Sequence, residues 1–66
     1  MGIALPPIGA PATRALHAAG IDALEAVTDH SVAELLRMHG VGPKAVGTLR
    51  DHLARHGLSF REQRDE

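Results

Sequence analysis

Apolar residues recur along the chain at three- and four-residue spacing, and glycine and proline punctuate the pattern. That rhythm predicts four short helices and no strands. The first spans about residues 11–19, with Pro11 near its start, Gly20 as its stop, and Ala12, Thr13 and Leu16 turned inward. The second covers about residues 23–27, with Asp22 as its N-cap and Leu24 and Val27 on one face. The third opens on Ser31-Val32-Ala33-Glu34, a capping box in which the serine hydroxyl and the glutamate carboxylate each accept from the other residue's N–H. It continues through Leu35, Leu36 and Met38 until Gly40 breaks it. The fourth runs from about residue 43 to 56, with Gly57 as its stop and Val46, Leu49 and Leu53 as a buried stripe. Leu58 and Phe60 then fold back as a lid. The expected domain is residues 1–60, and residues 61–66 form a polar, frayed tail.

Composition narrows this picture. Sixty-six residues allow one small domain, and 44% hydrophobic residues allow one thin core. Phe60 is the only aromatic residue of the Phe, Trp, Tyr set, and there is no cysteine, so helix packing alone must hold the fold. No apolar run approaches the roughly 20 residues of a membrane span, and the first residues lack a basic leader. The expectation is a soluble, cytoplasmic protein.

The stretch Gly40-Val41-Gly42-Pro43-Lys44 carries the clearest chemistry. Glycines allow positive φ and a close approach of a foreign group to the backbone. Pro43 suits the first position of a helix. The helix start leaves N–H groups free for an anion, and Lys44 adds a full charge beside them. Val41 plugs the core between the glycines. Gly47 is expected to permit close helix contact. A tight turn that only lets two helices pack is the competing account of the same residues.

Two further patterns bear on this turn. Residues 5–16 align with residues 38–49 at an offset of 33, matching Gly9 with Gly42, Ala12 with Ala45 and Leu16 with Leu49. Such a repeat suggests two packed, pseudo-twofold units. The net charge of −1 argues against strong overall nucleic-acid binding, yet residues 1–34 sum to −3 and residues 35–61 to +4. The basic half contains the glycine turn.

These residues resemble the tandem helix-hairpin-helix family. Its pattern reads here as Met38, then Gly40-Val41-Gly42, Pro43-Lys44-Ala45, Val46 and Leu49. The first copy is degenerate, with Pro7 at the leading glycine and Thr13 at the small-residue position. Leu16 to Ile21, Leu24 and residues 31–36 are also similar to the C-terminal domains of RNA polymerase alpha subunits. The resemblance covers residues 5–56. It implies an all-α, SAM-like bundle of four to five short helices that binds duplex DNA through phosphates near the minor groove, without sequence preference. Polymerase-like relatives place an arginine where this chain has Pro11, and Arg14 is the nearest cation.

The candidate DNA-binding set is therefore Arg37, His39, Gly40, Val41, Gly42, Lys44 and Arg50, with a weaker set at Ile8, Gly9, Ala10 and Arg14. Protonated His39 would donate to phosphate, so affinity is expected to rise at lower pH. Arg55 reads as a C-terminal charge that meets the helix dipole. His52 and His56 have chelating i, i+4 spacing, but no HExxH pattern exists, and no metal or other cofactor is expected. No enzyme is expected either: a glycosylase needs an aspartate partner and a pocket for a flipped base, which one phenylalanine cannot build. The alternative function is a protein-interaction module with acidic residues 22–34 as its face, in a polymerase or transcription setting. A weak homodimer is compatible with both.

Overall fold

The computed structural model describes residues 2–61. They form α1 (Ala10–Ala18), α2 (Leu24–Val27), α3 (Val32–Leu36) and α4 (Pro43–Arg55), with no strand among the described residues. The expected tail beyond residue 61 lies outside them. The fold is all-α, with a Cα radius of gyration of 10.9 Å, against about 11 Å for a folded chain of this length. Among the described residues no helix is long and apolar enough to cross a membrane.

The two long helices are bounded by matching devices. Gly9 caps α1 and Gly42 caps α4, and neither supplies a side-chain cap. The N–H of Thr13 donates to the Gly9 carbonyl at 3.0 Å, as that of Val46 does to Gly42 at 3.1 Å. A proline follows early in both. Both helices end in a Schellman motif. Ile21 N–H reaches Leu16 O and Leu58 N–H reaches Leu53 O, each at 2.8 Å, across Gly20 and Gly57 at positive φ. The apolar partners that this motif favours, Leu16 with Ile21 and Leu53 with Leu58, belong to or pack on the core. Helix α4 is longer than α1 by four residues, about one turn.

The core joins Ala12 and Leu16 of α1, Ile21, Leu24 and Val27, Leu35 of α3, and Val41, Ala45, Val46, Leu49 and Leu53. Leu16, Leu24, Val27, Leu35 and Leu49 are wholly buried. Leu58 and Phe60 pack on this core from outside, as the lid reading expects, while Thr13 and Met38 stay half-buried.

Several local expectations need correction. Asp22 does not cap α2. Ala23 is the N-cap and contributes no side-chain bond, because the N-terminal segment does the work: Leu24 N–H donates to the Ile3 carbonyl at 2.7 Å, and Ile3 N–H donates to Glu25 Oε1 at 2.6 Å. Helix α1 starts one residue earlier than expected, so Pro11 is its second residue. The capping box of α3 is present in full, but the helix stops at Leu36 rather than Met38. Arg37 N–H is shared between Ala33 and Glu34 carbonyls at 3.3 Å, and Met38 N–H turns back to Leu35 at 3.0 Å. This tightening of the last turn ends the helix before Gly40. His56 caps α4 instead of lying in it. Gly47 is exposed, and a Cβ built there meets nothing within 4 Å, so no helix contact requires it.

Gly40 is the opposite case. Its φ is +93°, and a Cβ there would lie 2.8 Å from the Pro11 carbonyl oxygen and 3.2 Å from Pro11 Cβ. The turn before α4 therefore rests on the first turn of α1 through a missing side chain. Urea unfolding checks both positions. Gly40→Ala is expected to lower stability by about 1–3 kcal/mol, from strain and clash together. Gly47→Ala should raise it by about 0.5–1 kcal/mol. Equal stability of Gly40→Ala and the parent would refute the packing role.

Candidate nucleic-acid interface

The close approach at Gly40 leaves a cleft of about 380 Å³ between the two glycine turns, lined by Pro7, Ile8, Gly9, Gly40, Gly42, Lys44, Ala45 and Thr48. The start of α1 lies on one side and the start of α4 on the other. Both helix N-termini carry partial positive charge from unpaired N–H groups. Among the described residues, the main-chain N–H groups of Gly40, Gly42, Lys44 and Ala45 have no acceptor, whereas that of Val41 donates to Met38 O at 3.2 Å. Pro43 occupies the first helical position and has no N–H to leave unpaired. No carboxylate lines the cleft, and Lys44 is its one charged side chain.

The two glycines of the turn play different parts. Gly40 is committed to Pro11. Gly42 has an extended backbone, φ −120° and ψ −179°, which other residues adopt, and a Cβ there would meet nothing within 4 Å. The fold itself therefore does not require a glycine there.

Of the expected contact residues, the cleft gathers Gly40, Gly42 and Lys44 with Ile8 and Gly9. Val41 is buried, at 7% exposure, as a plug between the glycines. Arg37, the C-cap of α3, and His39 are exposed on the same loop but do not line the cleft. Ala10 and Arg14 are exposed on α1, outside it. Arg50 is carried elsewhere: six residues at about 100° each place it about 120° around α4 from Lys44, and its Cζ lies 5.7 Å from the Phe60 ring centroid. Sequence reasoning missed Thr48 and Ala45. Thr48 lies one turn after Lys44 on the same face, and its hydroxyl donates to the Lys44 carbonyl at 3.2 Å. The i, i+4 spacing from Lys44 is the signal that could have found it.

The acidic segment 22–34 is partly consumed by the fold. Glu25 binds Ile3 N–H, while Glu34 accepts from Ser31 N–H at 3.1 Å, faces His30 Nδ1 at 3.3 Å and meets the Arg61 guanidinium. Asp22 and Asp29 remain exposed. Among the described residues no three His, Asp or Glu side chains gather where they could hold a metal ion. Comparisons with family models, with curated proteins and with solved structures find no match to this chain.

Both glutamates titrate below the ordinary value of 4.5. The Ser31 N–H is the main cause for Glu34, opposed by partial desolvation and aided by His30 and Arg61. The Ile3 N–H is the main cause for Glu25. A carboxylate depressed in the folded state stabilises it above the unfolded value, and that contribution is lost as pH falls through the folded value. Melting temperature is therefore expected to fall as pH drops below 4.5. A Glu25→Gln/Glu34→Gln variant should show a shallower acid limb in the same circular-dichroism series. An unchanged limb would show that these bonds do not distinguish folded from unfolded chain.

Proposed function

We propose that this domain is a non-enzymatic, tandem helix-hairpin-helix DNA-binding module that holds duplex phosphates, without sequence preference, at the cleft between its two glycine turns. The observation that carries the proposal is that Gly40, Gly42, Lys44 and Ala45, whose main-chain amides have no acceptor among the described residues, all line a cleft free of carboxylates. Phosphate is the anion such helix starts favour. The matching caps of α1 and α4, 33 residues apart, support a pseudo-twofold pair of units. The first turn contributes less, because Pro7 and Pro11 supply no N–H. Lys44 supplies charge, Arg37 and His39 flank it on the exposed loop, and Thr48 adds a hydroxyl.

A protein-interaction module is the second reading. The net charge of −1 favours it, but Glu25 and Glu34 are engaged within the fold, which leaves Asp22 and Asp29 for a basic partner.

NMR titration with a short random-sequence duplex separates the two. Expected are shifts at residues 38–48 at low salt that fade at high salt. Affinity should be about micromolar or weaker, with a slope of log K against log salt of about −2 to −3. Lys44→Glu should abolish the shifts. Gly42→Ala should weaken binding while changing stability by no more than about 1 kcal/mol, since its backbone suits alanine and only the capping preference is lost. Absence of shifts at low salt would reject the DNA proposal and leave the interaction module.

A further inference from the structure

The cleft between the glycine turns offers more than a seat for an anion. Its volume of about 380 Å³ lies in the range of roughly 300–1,000 Å³ at which pockets take whole small molecules, and a phosphate group alone fills only part of it. The two sides also differ in chemistry. The α4 side carries the Lys44 ammonium and main-chain N–H groups that have no acceptor among the described residues. The side before α1 carries the side chains of Pro7 and Ile8, which are hydrocarbon throughout. Ile8 is half-buried and packs on the core, so the fold itself fixes this apolar side. No aromatic ring lines the cleft, and Phe60 lies beside Arg50 instead. Bases are gripped by stacking on aromatic faces, whereas a small aliphatic surface suits the C–H groups of a sugar.

We propose that the cleft takes a sugar phosphate, with the phosphate at Lys44 and the neighbouring amides and the sugar's C–H surface on Pro7 and Ile8. The inference rests on the phosphate site proposed above and adds Pro7 and Ile8 as the residues that set its selectivity. A nucleic-acid strand and a free sugar phosphate share this chemistry. With no ring to stack on, an attached base goes unread.

NMR titration of the full chain at pH 7 and constant ionic strength tests the proposal, with inorganic phosphate and 2-deoxyribose 5-phosphate as probes. The sugar phosphate is expected to bind about four- to fifteenfold tighter, the gain from covering one or two CH₂-sized groups, and to shift Ile8 together with residues 42–48. Pro7→Ser, at an exposed position, and Ile8→Thr, which keeps the branched shape, should each lower that ratio while leaving inorganic phosphate binding unchanged. Equal binding of the two probes by the parent would overturn the role of the apolar side and leave the phosphate site standing. A ratio kept in both variants would overturn it as well. Binding of neither probe would reject the phosphate site itself. Short duplex added at low salt should displace the sugar phosphate, which identifies a strand as its source. A duplex that does not bind refutes the DNA proposal and leaves a site for free sugar phosphates.

Discussion

The distance between the 38–42 turn and the first turn of α1 governs the rest of the structure. Those turns meet where Gly40 has no side chain, close to the Pro11 carbonyl. One methyl group at that point would push the turn outward and carry the start of α4 with it. Val41 would then be drawn from its place in the core, and the two helix N-termini would separate. A small domain has little else to compensate. Its core among the described residues is eleven residues, all aliphatic, and the chain has no cysteine with which to bridge the helices. A single backbone contact can therefore set both the packing and the shape of the cleft.

The turn divides its duties between two glycines that look interchangeable in the sequence. Gly40 satisfies a steric demand inside the fold, and Gly42 leaves space outside it. The distinction follows from φ: +93° at the first and −120° at the second. Only the first conformation excludes ordinary side chains. A steric demand inside the fold and open space outside it thus fall to glycines two residues apart, and substitution can separate them.

Much of the local structure was legible in the residues. The capping box of α3, the glycine stops of α1 and α4, and the stripe of Val46, Leu49 and Leu53 all follow from rules acting within one or two helical turns. The misses lie where distant segments intervene. Asp22 looked like a cap, but the Ile3 carbonyl, 21 residues away from Leu24, took the amide that a cap would serve. Arg50 counted toward the basic face by sequence position, yet helical phase turned it toward Phe60. Gly47 suggested close packing and faces open space. In the candidate site, Gly40, Gly42 and Lys44 could be named from spacing, whereas Thr48 required knowing which side of α4 borders the cleft.

Net charge is a poor guide to what such a surface can hold. Formal charges sum to −1, but part of that charge is matched in place: Arg61 with Glu34, and Arg55 with Asp51. Exposed pairs of this kind contribute little stability, yet they remove both partners from the field a ligand meets. What remains at the cleft is Lys44 and a set of N–H dipoles, and the dipoles add nothing to a charge count. Their field is fixed by the backbone, requires no side-chain ordering on binding, and falls off within about one helical turn. Such a site would favour an anion brought into contact over one steered from afar, which suits a weak, short-range grip on a phosphate backbone.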